Sequence, residues 1–153
     1  MPPDATMLTF FRRTRRDPVA SRLNPYISFN GDARQAMEFY ASVLGGQLDL
    51  RTFGEYGMAG TPQENQIMHG QLETPKGYTL MASDTPPGMD YNPGTNITVS
   101  LSGEDVDDLR GYFTALSEGG TVTVPLEKQM WGDEFGALVD KFGINWMVNI
   151  TTG

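Results

Sequence analysis

The chain has 153 residues, 39% of them hydrophobic, with no cysteine and a net charge of −8. That length suits one domain with a real core. The missing cysteines exclude disulfides, thiolate zinc sites and cysteine nucleophiles, and fit a reducing cytoplasm. No window approaches ~18 consecutive apolar residues, so no membrane-spanning helix is expected.

The charge is unevenly placed. Residues 1–23 carry five arginines (Arg12, Arg13, Arg15, Arg16 and Arg22) against Asp4 and Asp17, and the other 130 residues hold six basic side chains against 17 acids. A body this acidic repels phosphate backbones, which argues against nucleic acid as its partner. The leader reads either as a contact for an anionic surface or as a basic, disordered tail before a single domain over residues 24–153. Its apolar stretch "MLTFF" is too short for a secretory signal.

From Asn24 the pattern becomes regular. "PYISF" reads as a short strand, then "NGDA" turns into a helix. Ala33, Ala36, Met37, Tyr40, Ala41 and Leu44 fall on one face of a 3.6-residue period. Asp32 with Gln35 resembles a capping pair, and Gly45-Gly46 supplies the stop. "QLDLRTF", a glycine- and proline-broken loop at 54–65, "QIMHGQLET" and "YTLMAS" then give three strand candidates. The linker, residues 85–95, is rich in turn residues.

The same order then recurs. "NITVSLS" alternates Ile97, Val99 and Leu101 with Asn96, Thr98 and Ser100. A helix follows, with Val106, Leu109, Phe113 and Leu116 on one side and the glycine pair Gly119-Gly120 behind it. "TVTVPLEKQM", "EFGALVD" and "INWMVNI" supply three more strands. So βαβββ is written twice, about residues 24–84 and 96–151, with a period of ~70 residues. Neither half can bury its sheet alone. The expected fold is α+β, two tandem modules forming a curved mixed sheet around a cavity, the usual place for a ligand.

The words "PYISFNGDARQAMEFY", "MHGQL", "LMASD" and "PLEKQMWGDEFGALVDKFGINWMVN" carry a resemblance. Over residues 24–151 the chain resembles the vicinal oxygen chelate superfamily, which includes glyoxalases, bleomycin resistance proteins and extradiol dioxygenases. It resembles the PhnB-like branch most specifically. Some relatives in that branch are labelled demethylubiquinone methyltransferases. No strand, glycine-rich turn and helix suited to S-adenosylmethionine supports that label here, since "VLGGQ" follows a helix.

The resemblance implies four metal-ligand positions, and they can be carried over one at a time. They fall on Pro25, on Met81 or Ala82, on Asn96 and on Met147. Proline, alanine and methionine are not ligands for a hard or borderline ion, and an Asn carbonyl alone is weak. No cofactor is therefore expected. The alternative is a divalent metal displaced to His69, the only histidine. His69 and Glu73 on one strand are ~13 Å apart, too far to share an ion, whereas Gln71 at ~7 Å could share one if Glu134 or Asp84 came close. His69 otherwise reads as a half-exposed strand residue or as a base or substrate contact.

If Ile97, Val99 and Leu101 pack under the second helix, then Asn96, Thr98 and Ser100 face the cavity, opposite Asn145, Met147 and Asn149. This lining suits a small organic ligand. For the first strand the superfamily points Ile27 and Phe29 inward, which would leave Tyr26, Ser28 and Asn30 oddly polar under a helix. The phase stays open at this point. Trp131 sits in the connection between the sixth and seventh strands, where an indole offers an apolar plate and one donor. It is either a ligand contact or a plug at the barrel end or a subunit contact. Trp146 reads as core. No nucleophile-elbow motif surrounds any serine. Together these features describe a cytoplasmic homodimer that binds a small organic molecule, by sequestration or metal-independent catalysis. The alternative is a metal-dependent lyase, isomerase or dioxygenase centred on His69.

Overall fold

The computed structural model describes residues 21–152, so the reading of the arginine-rich leader lies almost wholly outside it. Eight strands and two helices follow in chain order: β1 (Tyr26–Phe29), α1 (Ala33–Leu44), β2 (Gln47–Thr52), β3 (Ile67–Glu73), β4 (Thr79–Asp84), β5 (Thr98–Gly103), α2 (Val106–Ser117), β6 (Thr121–Lys128), β7 (Glu134–Val139) and β8 (Asn145–Ile150). A single 3-10 turn, Gly54–Tyr56, interrupts the long loop. The duplicated βαβββ pattern is therefore real. Each copy closes its own four-stranded mixed sheet, ordered β1-β4-β3-β2 and β5-β8-β7-β6, and no barrel closes. In both, the first strand runs parallel to the last.

Each helix lies on one face of its own sheet. On α1 the stripe Ala33, Ala36, Met37, Tyr40 and Leu44 is buried, and on α2 Leu109, Phe113 and Leu116 are. Under α1 lie Phe29, Ile67, Leu72, Leu80 and Ala82, and one apolar cluster continues through Trp146, Val148 and Ile150 of the second sheet. Gly136 of β7 is needed under α2: a Cβ there would lie 2.8 Å from a Phe113 ring carbon and from the Leu126 Cα. No helix among the described residues is long and apolar enough to cross a membrane.

Three expectations need correction. The first concerns the cap of α1. Asp32 makes no side-chain bond to the helix. The carboxylate of Asp84, at the end of β4, takes that place: Oδ1 accepts from the Gly31 and Ala33 amides at 2.8 and 3.0 Å, and Oδ2 from the Ile67 amide at 2.8 Å. Asp84 is 1% exposed and ties β4, α1 and β3 together.

The second concerns β5. Ile97 does not pack under α2, for the strand begins one residue later and Ile97 is 75% exposed. Its backbone carbonyl instead accepts from Asn145 Nδ2 at 3.3 Å. The third settles the phase of β1. Phe29 is buried with the helix, edge-on to Phe142, and Ile27 packs against the same core. Tyr26 and Ser28 therefore occupy the opposite, open face. The polar residues are not stranded under a helix, so the alternation carried over from the superfamily is reversed.

Candidate functional site: two open sheet faces

Among the described residues, the face of each sheet away from its helix is uncovered. On the first sheet, registration aligns Tyr26, Met81, Gln71 and Asp49 in one row. Arg51 and His69 are direct partners in the row beside it, and Ser28 pairs with Ser83. Met81 thus stands on the open face, while its neighbour Ala82 is wholly buried under α1.

The side chains of the first face form a continuous hydrogen-bonded line. Tyr26 Oη lies 3.2 Å from His69 Nδ1, and the two rings face each other with centroids 5.6 Å apart. His69 Nε2 is 3.3 Å from Gln71 Oε1. Gln71 Nε2 donates to Glu73 Oε2 at 2.5 Å, and Thr79 Oγ1 donates to Glu73 Oε1 at 2.8 Å. Arg22 closes the line, donating to Thr79 Oγ1 at 3.2 Å with Glu73 Oε2 3.5 Å away. The ~13 Å that separates His69 from Glu73 along a strand is spanned by Gln71. Neither proposed partner in a displaced metal site joins His69: Asp84 is on the helix side, and Glu134 belongs to the second module, bound to Arg110.

On the second sheet the parallel register sets Thr98 beside Asn145, Ser100 beside Met147 and Ser102 beside Asn149. Five of the expected lining residues, Thr98, Ser100, Asn145, Met147 and Asn149, therefore share one face. Asn96 lies before the strand and is exposed. Asn145 is spent on structure, because its Nδ2 donates to the Thr95 and Ile97 carbonyls. Asn149 Nδ2 donates to Asp133 Oδ2 at 3.0 Å, which anchors the β6–β7 connection over this face.

Trp131 stands in that connection, 61% exposed, its ring 6.3 Å from Phe135. With Met130, which is fully open, it forms an apolar tip among the described residues. Trp146 is core, as expected, but it also donates Nε1–H to Asp140 Oδ2 at 2.9 Å.

Two hollows mark the surface of the described residues. One, about 360 Å3, lies where the two modules meet and is lined by Pro25, Tyr78, Thr79, Ser100, Ser102 and Trp146 among others. The other, about 650 Å3, is a shallow groove between α2 and the β6–β7 hairpin, on the helix side. It is larger, and of the residues singled out from the sequence for a site it contains Glu134 alone. At its rim Arg110 and Glu134 pair, the arginine holding the Glu134 carboxyl below its usual range. The inter-module hollow is the better candidate because its wall includes Ser100, one of the expected lining residues, and Pro25, one of the four carried-over positions.

Two acids, Asp84 and Asp140, have structural roles that the sequence reading missed. Both end strand-like words ("MASD", "LVD") and read there as turn residues. Asp140 accepts four bonds, from the Phe142 and Ile144 amides at Oδ1 and from Tyr40 Oη–H (2.6 Å) and Trp146 at Oδ2. Burial first, and then the Asp140 charge, push the Tyr40 phenol far above its usual range, so it remains a donor. The signal that could have revealed both is an acid immediately after an apolar alternation.

Comparison with known proteins places this geometry. A family model described as 3-demethylubiquinone-9 3-methyltransferase matches residues 21–149. The crystal structure of PA1353 from Pseudomonas aeruginosa superposes with a TM-score of 0.78 at 34% identity, covering 88% of this chain and all of that one. A Bacillus cereus PhnB protein gives 0.69 at 22% identity over 86% of this chain and all of its own. A glyoxalase-family protein of Bacillus cereus shares the fold at 0.58 and 18% identity, over 91% of this chain and 99% of its own. The methyltransferase wording describes the family model. In this chain each strand-to-helix turn of the βαβ type carries one glycine, Gly31 or Gly103, and the amides of the first are taken by Asp84. The match over nearly its whole described length shows that the chain belongs to that family, the PhnB-like one, and its doubled βαβββ fold is the one that the glyoxalase-family structure also has.

Proposed function

We propose that this protein is a cytoplasmic homodimer that binds a small organic molecule against its open sheet faces, without the divalent ion of its metal-dependent relatives. The observation that carries this reading is the chemistry of the donor positions. Pro25, Met81 beside Ala82, Asn96 and Met147 do not make a hard-ion site. Among the described residues no three His, Asp or Glu side chains are grouped to hold an ion. A metal therefore does not fit the residues present.

What these faces do offer is hydrogen-bonding groups and apolar plates: Ser28, Ser83, Ser100 and Asn149 with Met81, Met147, Phe135 and Trp131. Dimerisation is supported by free edges at β1 and β5, each paired on one side only, beside uncovered faces. Sequestration and metal-independent catalysis share this site.

The test is elemental analysis of purified protein, then titration of Ni2+, Zn2+ and Mn2+ followed by tryptophan fluorescence, with W131F to assign the signal. The expected outcome is no stoichiometric metal and no saturable response. One tightly held ion per subunit, lost in H69A, would establish the metal-dependent alternative instead.

A further inference from the structure

The line of side chains on the first sheet has a direction, set at its far end. Glu73 is a carboxylate and can only accept; its Oε1 already receives Thr79 Oγ1–H and its Oε2 faces Gln71 Nε2 at 2.5 Å. Gln71 must turn its NH2 toward Glu73, which leaves its carbonyl oxygen facing His69 Nε2 at 3.3 Å. That oxygen needs a donor, so Nε2 carries the hydrogen. In neutral His69 the lone pair is then on Nδ1, 3.2 Å from Tyr26 Oη. The phenol gives its proton to His69, and its oxygen lone pairs point into the open face, where Tyr26 is 52% exposed. The nearest charges on neighbouring strands are Arg51, the cross-strand partner of His69, and Asp49, which holds Arg51 at 3.3 Å.

We propose that Tyr26 is the ligand-facing proton acceptor of this protein, with His69 drawing off its proton and Gln71 and Glu73 fixing the histidine tautomer. The site takes a small molecule that presents an acidic O–H, N–H or activated C–H to Tyr26 Oη. In the transfer step the ligand proton goes to Oη as the phenol proton passes to His69 Nδ1. The bond electrons stay on the ligand as an anion, the imidazole becomes imidazolium, and nothing is oxidised or reduced. Its Nε2–H remains bonded to Gln71, whose dipole Glu73 orients. His69 never touches the ligand. It acts through Tyr26, as a positioning residue. The inference deepens the proposed function and rests on it only for the claim that a ligand reaches this face.

The test uses N-acetylimidazole as the probe on the full chain, with tyrosine-containing peptides followed by mass spectrometry. Tyr56 is the internal control, because it is 57% exposed, close to Tyr26. The acetyl–nitrogen bond breaks as the Oη–acetyl bond forms; the phenol proton goes to His69, and the leaving nitrogen keeps the bond electrons and takes a proton from water to depart as imidazole. Tyr26 should be acetylated roughly tenfold faster than Tyr56 or more, a fraction of full general-base assistance, and H69F should erase that advantage. Equal rates in the wild type, or an advantage that survives H69F, would overturn the proposal.

A second readout requires no folding of that variant: the 15N shifts of the sole imidazole, recorded near pH ~8 where an ordinary imidazole is neutral. The wild type should be all Nε2–H, and E73Q, whose amide can donate as well as accept, should show a mixture. An Nδ1–H imidazole in the wild type would also overturn it. Neither assay uses metal or cavity ligand. Failure here therefore leaves metal-free binding standing, and retained metal with intact acylation would sink only the proposed function.

Discussion

The turns at the β3–β4 and β7–β8 tips are the same turn written twice, and they join the modules by opposite chemistry. In the first, the Thr74 amide bonds the Tyr78 carbonyl and Thr74 Oγ1 accepts from the Tyr78 amide at 2.9 Å. In the second, the Asp140 amide bonds the Ile144 carbonyl and Asp140 Oδ1 accepts from the Ile144 amide at 3.0 Å. Threonine has one side-chain oxygen and spends it on its own turn. Aspartate has two, and the second reaches across to Tyr40 of α1, while its neighbour Lys141 lies 4.4 Å above the Phe39 ring.

At the other tip the crossing falls to Lys76, which meets Asp105 and Asp108 of the second module at 2.5 and 2.6 Å in solvent. The backbone of the duplication has been kept while its joints have diverged. A buried acceptor with four donors is worth far more than an exposed ion pair, whose Coulomb gain water and salt dilute.

Three substitutions would break or sharpen that contrast. D140A should have the largest effect. It strands two amides, a phenol and an indole N–H, and should cost about 4 kcal/mol in denaturant unfolding. Y40F removes one bond to a charged acceptor and should cost about 2 kcal/mol by the same measurement, with near-ultraviolet dichroism retained.

K76A should have the smallest effect, a slight loss of Tm that vanishes in ~1 M salt, where the screening length falls to ~3 Å. Its pH dependence has a definite sign. Lys76 holds the Asp105 carboxyl below its usual range, so the pair's contribution is present above that range and is lost as pH falls through the depressed value. The gap between K76A and wild type in thermal melts should therefore close on acidification. If K76A destabilised as much as D140A, the buried and exposed joints would not differ as argued.

Much of the scaffold was legible in advance. Both helices announced themselves by apolar spacing, and the stripe from Ala33 to Leu44 is the buried one. On β5 and β8 alternation put Thr98, Ser100, Asn145, Met147 and Asn149 on one face, because the period of two is local, while Asn96 and Ile97 fell before the strand. What escaped was the phase of β1, a four-residue strand with too few alternations to vote. Asp84 and Asp140 escaped too, since an acid at a strand end reads as a turn residue until the donors around it are known. The Tyr26–His69–Gln71–Glu73 line was visible only as an alternating HxQxE; the tyrosine at its head lies 43 residues earlier.

The sequence by itself determined the element order, the duplication, the helix faces and the absence of ligating side chains at the superfamily's metal positions. The helix and strand faces depend on spacings of two to four residues, the duplication on a repeat of ~70, and the metal positions on residue identity at places the resemblance supplies. The tertiary structure decided which carboxylates are buried, which way β1 turns its side chains and how the polar line across the first sheet is directed. Those depend on partners 17 to 100 residues apart, Asp84 with Ile67 and Asp140 with Tyr40, that only the folded chain brings within hydrogen-bonding distance.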